Sequence, residues 1–287
     1  MVNPSFNGLR VLSLESRRSA EMATLIVNYG GQAISAPALR EVPIESNSEA
    51  VSFADALIRA DIDLVILLTG VGTRALLALV DETRDRAAFV RALGGTRIAA
   101  RGPKPVAALR EIGLTPWVIA PEPNTWRELL AALDAKAPEF RFEGARVAVQ
   151  EYGASNQQLL AGLAARGAAV TRVPVYRYAL PDDTNPLQHA ARAVADGRVD
   201  VALFTTSMQV VHLLEIARQH DLEDAVRRGF HSMAVASIGP TTSEELREHG
   251  IPIDIEATHP KMGFLVRDAA DRAGAILRLK RGGAAVG

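Results

Sequence analysis

The sequence contains no cysteine, which excludes disulfide bonds, thiolate metal sites and cysteine nucleophiles. It also lacks an uninterrupted run of about 18 apolar residues, the minimum for a membrane-spanning helix. Neither sign of charge is in excess, because 32 Lys and Arg face 33 Asp and Glu, a formal net charge of −1. The segment 1–6 has neither the charged start nor the apolar run of a signal peptide. We therefore expect a cytoplasmic protein that binds neither nucleic acid nor membrane.

Motifs for metal-assisted or nucleophilic catalysis are missing as well. The six histidines include no pair spaced three or four residues apart, and no HExxH pattern occurs. Neither a GxSxG nucleophile elbow nor a Walker phosphate loop is present. Any chemistry is therefore expected to proceed without a metal, a cofactor or a strong nucleophile.

What the sequence does contain is a regular alternation of short apolar runs and longer amphipathic stretches. The run at 64–68 is entirely apolar, as expected of a central parallel strand, and a helical pattern at 19–28 follows an apolar run at 9–14. The other strand candidates are 32–36, 97–100, 116–119, 146–150, 169–173, 201–204, 233–236 and 252–255. This alternation predicts an α/β protein with parallel sheets flanked by helices, and the length suits two domains of roughly 120–150 residues.

The two halves of the chain match each other at a constant spacing. DLVILLT at 63–69 aligns with DVALFTT at 200–206, and RGPK at 101–104 aligns with IGPT at 238–241. LREIG at 109–113 aligns with LREHG at 246–250, and all three pairs share an offset of 137 residues. A constant offset over several motifs indicates two copies of one unit, and two copies are too few for a solenoid. The sequence therefore predicts two similar lobes.

Two proline-containing apolar segments, 36–43 and 173–181, each follow the second strand of a repeat. Proline favours extended backbone, so both segments could be strands that cross side by side between the lobes. Lobe one would then combine 1–37 with 180–287, lobe two would be 43–173, and 38–42 and 174–179 would be the linker strands. The alternative is two lobes in simple sequence order, divided near residue 142.

Clusters of small and hydroxyl residues stand where ligands of parallel sheets bind, past the carboxyl ends of the strands. They are Thr69-Gly-Val-Gly-Thr73, Arg101-Gly-Pro103, Thr205-Thr-Ser207 and Ser237-Ile-Gly-Pro-Thr-Thr242. Such turns expose backbone N–H groups at helix N-termini, which attract anions. Any one of them is typical of ordinary N-capping. Four turns related by the repeat favour a shared cleft for a small anionic ligand.

A rival interpretation rests on Gly70-Val-Gly-Thr-Arg-Ala75, which fits the dinucleotide pattern GxGxxA directly after an apolar strand. Three observations weigh against it. The pattern is not in the first βα unit, and Arg101 rather than an acidic residue follows the next strand. Its counterpart in the second repeat, Thr206-Ser-Met-Gln-Val210, contains no glycine.

Two of the four tyrosines, Tyr176 and Tyr178, lie in the second proline-containing segment. If that segment is a strand, both side chains point to the same face. A phenol there could donate a proton as a general acid, or both rings could simply pack a hinge. The residues alone favour packing.

The four turns, in this order and together with VPVYRY at 173–178, resemble the uroporphyrinogen-III synthase family. The resemblance extends from Leu9 to about Leu277 and rests on the ordered combination of motifs. It implies two flavodoxin-like lobes joined by a two-stranded crossover linker. It also implies a cofactor-independent lyase that cyclises hydroxymethylbilane, inverts ring D and releases water, a step of porphyrin and tetrapyrrole biosynthesis on the way to haem, sirohaem and cobalamin.

The resemblance further implies which residues act. The proposed proton donor of the family falls on Tyr176. The substrate carries eight carboxylates, and the family's substrate-contacting turns fall on Thr69, Gly70, Arg101, Gly102, Thr206, Ser207, Gly239, Pro240, Thr241 and Thr242. No metal or cofactor is implied, the partner is the small-molecule substrate, and a monomer is expected.

The sequence departs from the family pattern in two places. Glu15-Ser-Arg-Arg18 follows the first strand, where many members carry Thr-Arg-Pro, and Thr69-Gly-Val-Gly-Thr73 is a variant of a more usual Thr-Ser turn. The sequence also does not separate an active synthase from a non-catalytic domain of the same fold that senses a tetrapyrrole or another polyanion.

Overall fold

The computed structural model of the chain describes residues 3–44, 47–151, 153 and 155–282. Its strands are β1 (Arg10–Ser13), β2 (Gln32–Ser35), β3 (Arg40–Pro43), β4 (Leu64–Leu67), β5 (Arg97–Ala100), β6 (Val118–Ile119), β7 (Arg146–Glu151), β8 (Ala169–Pro174), β9 (Tyr176–Ala179), β10 (Val201–Phe204), β11 (Ala234–Ser237) and β12 (Ile255–Glu256). Its helices are α1 (Ser19–Asn28), α2 (Ser48–Ile58), α3 (Gly70–Thr83), α4 (Arg86–Gly95), α5 (Pro103–Arg110), α6 (Trp126–Asp134), α7 (Gln157–Ala164), α8 (Asn185–Ala195), α9 (Ser207–Gln219), α10 (Glu223–Ser232), α11 (Pro240–Glu248) and α12 (Met262–Gly282).

The chain divides into two compact units. Unit 1 is Met1–Arg40 with Ala179–Gly287, and unit 2 is Glu41–Tyr178. The last five residues of the predicted first lobe, 283–287, and positions 45, 46, 152 and 154 of the predicted second lobe lie outside the described residues. None of the described helices is long and apolar enough to cross a membrane.

Unit 1 contains a five-stranded sheet in the order β2-β1-β10-β11-β12, with parallel pairing throughout. Numbered along this unit, the order is 2-1-3-4-5, which is the flavodoxin arrangement. Successive residues of each strand enter opposite cores, since Val201 and Leu203 pack on one face while Ala202 and Phe204 pack on the other. Apolar residues at every position of a strand are explained by burial on both faces.

Unit 2 repeats this design with a different chain order. Its sheet runs β8-β7-β4-β5-β6, again with parallel pairing. When β7 and β8 are matched to β1 and β2, as the repeat requires, the order is the same 2-1-3-4-5. All four residues of β4 are buried, and they alternate between the two cores of this unit. The predicted fold class is confirmed: two similar parallel α/β sheets flanked by helices.

The repeat is also visible in a pair of equivalent ion pairs at the amino ends of the central strands. In unit 1 the backbone N–H and the side chain of Arg10 donate to Asp200, at 2.9 to 3.0 Å. In unit 2 the same groups of Arg146 donate to Asp63, at 2.8 to 3.1 Å. Each arginine is the first residue of a central strand, and each aspartate immediately precedes the first residue of the neighbouring strand. Both pairs therefore lie at the sheet edge opposite the predicted turns.

The predicted two-stranded linker is present as β3 paired with β9. The chain passes from unit 1 to unit 2 within β3 and returns within β9. Strand β9 also carries Tyr176 and Tyr178, so the candidate site residue Tyr176 lies on a strand of this two-stranded sheet.

Candidate active site at the carboxyl ends of the strands

The first two predicted turns of unit 2 touch each other. Thr69 and Gly70 follow β4, and Arg101 and Gly102 follow β5, which is the neighbouring strand. Gly70 packs directly on the backbone of the second turn, because a Cβ atom added to it would lie 2.5 Å from the carbonyl oxygen of Lys104. The structure therefore brings Thr69, Gly70, Arg101 and Gly102 to one place.

Thr69 is the N-cap of α3, with extended backbone at φ −143° and ψ 149°. Its Oγ1 accepts a hydrogen bond from the N–H of Gly72 at 3.0 Å. Its own N–H donates to Oε1 of Gln150, at 3.4 Å. These bonds fix the conformation of the turn and satisfy one of the N–H groups that every helix start leaves without a partner.

Gly102 requires glycine for two reasons. Its φ of +128° lies in a region that L side chains rarely adopt. A Cβ atom there would also lie 2.6 Å from Oδ1 of Asn124. Asn124 belongs to the turn after β6, so a third turn joins the carboxyl edge of this sheet. The sequence analysis did not identify it.

The two predicted turns of unit 1 follow the neighbouring strands β10 and β11. Thr206 is the N-cap of α9, with extended backbone like Thr69, and Ser207 is the first residue of that helix. Gly239 precedes α11, and Pro240, Thr241 and Thr242 form its first turn. Here too a third turn joins the edge, because a Cβ atom on Gly239 would lie 3.7 Å from Cβ of Pro260.

A carboxylate stands beside the unit 1 turns. Glu15, which follows β1, accepts a hydrogen bond from Oγ1 of Thr205 at 2.6 Å. It also accepts from the N–H of Arg18, at 3.2 Å. The departure from the family pattern at 15–18 thus places a negative charge, held by local hydrogen bonds, next to the turn at 205–207.

Tyr176 lies in unit 2 together with Thr69, and the structure brings the two side chains together. The ring of Tyr176 is only 6% exposed and packs edge-on against Tyr178, with 5.6 Å between ring centroids and an interplanar angle of 82°. Burial raises the pKa of the Tyr176 phenol well above its usual range, and Tyr178 and the charge of Glu41 raise it further. A hydrogen bond with Thr69 acts in the opposite direction and lowers this pKa. The phenol therefore keeps its proton at every physiological pH.

A comparison with known families decides where this chain belongs. The family model described as uroporphyrinogen-III synthase HemD matches residues 20–267, which is most of the chain. The chain belongs to the uroporphyrinogen-III synthase family. A Methanothermobacter thermautotrophicus protein whose name assigns it provisionally to uroporphyrinogen-III synthase is 34% identical over 238 residues, 82% of this chain and 87% of that protein. An uncharacterized Bacillus subtilis protein is 29% identical over 269 residues, 92% of this chain and 95% of that protein.

Solved structures of the family have the same fold. A mutant uroporphyrinogen III synthase from Thermus thermophilus is similar with a TM-score of 0.72 and 26% identity, over 93% of this chain and 99% of that chain. The wild-type enzyme in another crystal form gives a TM-score of 0.55 and 27% identity, over 93% of this chain and 98% of that chain. The resemblance seen in the ordered turns is thereby confirmed.

Family membership and packing together account for the glycines of the GxGxxA pattern. The space beside Gly70 is filled by Lys104, and the space beside Gly72 is filled by the Gln150 side chain, 2.0 Å from an added Cβ atom. Neither glycine thus leaves room for a ligand phosphate, which is the purpose of glycine in that fingerprint. A cavity of about 440 Å³ lies near the amino ends of β5 and β6 and is lined by Gly94–Ile98 and Gly113–Trp117, at the opposite edge from the turns.

In the described part of the chain, no group of three or more His, Asp or Glu side chains is arranged so that it could hold a metal ion. The residues that the sequence analysis missed are Asn124 and Pro260 of the third turns, and the glutamines Gln150 and Gln209 beneath the first turns. Pro123 and Pro260 share the offset of 137 residues, so extending the repeat to these positions would have located both third turns.

Proposed function

We propose that this chain is an active uroporphyrinogen-III synthase, which closes hydroxymethylbilane to uroporphyrinogen III with inversion of ring D and loss of water, and needs no cofactor. The observation that carries the proposal is the buried phenol of Tyr176, which packs edge-on against Tyr178 in the unit that also holds the turns after β4 and β5. In this proposal, residues 1–37 with 180–287 and residues 43–173 act as the two lobes, and 38–42 and 174–179 connect them.

Tyr176 supplies the proton for loss of water. The phenol donates to the hydroxymethyl oxygen while the carbon–oxygen bond breaks, which releases water and leaves a cationic azafulvene on the substrate and a phenolate on the protein. The leaving oxygen approaches the basicity of hydroxide, which is a stronger base than the phenolate of free tyrosine. A phenol with a raised pKa is therefore closer in proton affinity to this oxygen than free tyrosine is, although it is a weaker acid.

Thr69 stabilises the state in which the proton has left. Its hydrogen bond lowers the pKa of Tyr176, which means that it favours the phenolate over the phenol. Inversion of ring D requires the azafulvene carbon to bond to the substituted α-carbon of that ring, the bond from this carbon to the neighbouring bridge to break, and the released cationic bridge carbon to bond to the ring's other α-carbon. The proton displaced from that last carbon returns to the phenolate. The reaction therefore consumes no proton, and its net product besides the macrocycle is one water molecule.

The turns bind the carboxylates of the substrate. In unit 2 we assign this role to Thr69, Gly70, Arg101 and Gly102 at the starts of α3 and α5. Thr69 would contribute its hydroxyl, Arg101 its guanidinium and the two glycines their N–H groups. In unit 1 we assign it to Thr206, Ser207, Gly239, Pro240, Thr241 and Thr242 at the starts of α9 and α11. Thr206 would contribute its hydroxyl, and Pro240 would contribute shape only since it lacks an N–H. The azafulvene is stabilised by its own pyrrole nitrogen, so the main task of the protein is to hold a folded conformer.

The test is a product analysis. Purified protein, without added metal or cofactor, is mixed with enzymatically generated hydroxymethylbilane, and the oxidised products are separated by isomer. Predominance of the type III isomer supports the proposal. Only the type I isomer, which forms by spontaneous closure, from protein shown to be folded would refute it. Tetrapyrrole binding without turnover in the same preparation would then identify a sensor.

A further inference from the structure

Gln150 is a buried polar residue to which the proposed mechanism assigns no role. It is 1% exposed and stands in β7, directly opposite Leu67 of β4. Its Oε1 accepts the N–H of Thr69 at 3.4 Å, and its Nε2 donates to the carbonyl oxygen of Glu151 at 2.6 Å. Both ends of the amide are therefore engaged, one of them by the cap of α3.

The place of this amide is defined by Gly72. A Cβ atom on Gly72 would lie 2.0 Å from Nε2, 2.6 Å from Cδ and 2.8 Å from Oε1 of Gln150. Gly72 is the third residue of α3 and its φ is negative, so its backbone would accept any side chain. A side chain at position 72 would displace this amide, so glycine at 72 and the present position of the Gln150 amide depend on each other.

Unit 1 also places a glutamine amide against the N–H of its helix cap, but supplies it from a different element. Gln209, which is 137 residues after Gly72, is the third residue of α9 and is 1% exposed. Its Oε1 accepts the N–H groups of Thr205 at 2.7 Å and of Thr206 at 3.4 Å. The position equivalent to Gln150 in unit 1, at the offset of 136 that relates Arg10 to Arg146, is Leu14. The two repeats have therefore exchanged a glutamine between a helix and the adjacent strand.

We propose that Gln150 is a positioning residue, which replaces from β7 the missing side chain of Gly72 and thereby fixes the conformation of the Thr69 turn. This inference rests on the proposed function and adds a residue to it. Gln150 acts through Thr69: it accepts the N–H of the cap, and the cap fixes the turn to which the proposed function assigns substrate binding. At the Thr206 turn an equivalent amide oxygen comes from Gln209, so the same bond to the cap N–H is made from a helix in unit 1 and from a strand in unit 2.

The exchange predicts the behaviour of three variants. Gln150→Leu removes the acceptor of the Thr69 N–H and loosens the turn. Gly72→Gln places a second side chain in space that is already filled. The double variant Gly72→Gln/Gln150→Leu recreates the unit 1 arrangement in unit 2, with glutamine on the helix and leucine on the strand. Each single variant should therefore be impaired, and the double variant should recover.

The experiment measures kcat, KM and the type III fraction for wild type, both single variants and the double variant, per mole of folded protein and well below each melting temperature. We expect each single variant to lower kcat by about ten-fold or more and the double variant to return to within about three-fold of wild type, a coupling that independent sites do not show. Gln158→Leu, the same change on the exposed surface of α7, is the matched control and should leave kcat unchanged.

Two outcomes would overturn the inference in an active enzyme. The first is wild-type kcat in Gln150→Leu. The second is a double variant no faster than the slower single variant. A melting temperature that recovers in the double variant without recovery of kcat would give Gln150 a structural role only. A wild-type protein that yields only the type I isomer refutes the proposed function itself, and the positioning role with it.

Discussion

The sharpest test of the proposed mechanism is the substitution Tyr176→Phe. Phenylalanine keeps the ring that packs edge-on against Tyr178 and removes only the hydroxyl. The side chain is 6% exposed, so the change leaves the surface of unit 2 almost unaltered. The lost group is the buried phenol, whose pKa Thr69 lowers against the larger raising effect of burial. Any effect on turnover therefore reports on the proton donor.

The expected size of the effect follows from two opposing considerations. A positioned general acid contributes a factor of about 10²–10⁴ to the rate. The raised pKa of Tyr176 makes it a weak acid, and a water molecule can occupy the space of the missing hydroxyl and donate in its place. We therefore expect kcat to fall by about 10- to 100-fold, or about 1.4–2.7 kcal/mol in the activation free energy. KM should change little, because the phenol is not assigned to carboxylate binding.

The assay is initial formation of the type III isomer at saturating hydroxymethylbilane, with the spontaneous type I background subtracted. Tyr29→Phe is the matched control, since it removes a phenol from a tyrosine at the end of α1 in unit 1, away from the predicted turns. It should keep wild-type kcat. An unchanged kcat in Tyr176→Phe would remove the tyrosine from the chemistry and make water the donor.

Three further predictions concern stability. Gly70→Ala should lower the free energy of unfolding by about 1–3 kcal/mol, because its Cβ atom would meet the Lys104 carbonyl at 2.5 Å. Gly95→Ala, whose Cβ atom would have nothing within 4 Å, is the control and should leave the denaturant midpoint unchanged. Hydrogen bonds from arginine hold the pKa of Asp200 well below its usual range, so Asp200 stabilises the folded state above about pH 4 and this stabilisation is lost as the pH falls. Asp200→Asn should flatten the acid dependence of the unfolding free energy, and curves parallel to wild type would contradict the assignment. The raised pKa of Tyr176 implies a contribution to the stability of the folded state that is complete below about pH 10 and lost above it. Tyr176→Phe should therefore reduce the alkaline slope of the unfolding free energy, and a slope equal to that of wild type would argue against burial of the phenol.

The central strands were predictable because their hydrophobic runs are fully buried. β4 lies within the predicted run 64–68, and α1 has the predicted bounds of 19–28. The bounds predicted for β6 and β12 were less accurate, since each of these strands has only two residues. Two residues are too few to show a periodic apolar pattern.

The turns were predictable as helix starts, but their contacts were not. The sequence shows glycine at 70, 72 and 102 without showing why it is there. The structure gives three different reasons, namely the Lys104 carbonyl, the Gln150 amide and the positive φ of Gly102 beside Asn124. Each reason depends on a residue at least 20 positions away in the sequence. Local pattern therefore suggested a phosphate loop where long-range packing is the cause.

The role of Tyr176 was likewise not predictable from the local sequence. From the residues alone, packing was the favoured role and proton donation the alternative. The structure shows that these roles are not in competition, because the burial that makes Tyr176 a packing residue also keeps the proton on its phenol. A tyrosine exposed to water would ionise more readily, but it would lack the fixed contact with Thr69. Burial next to a helix cap therefore combines an ordered ring with a retained proton, and sequence spacing alone contains neither property.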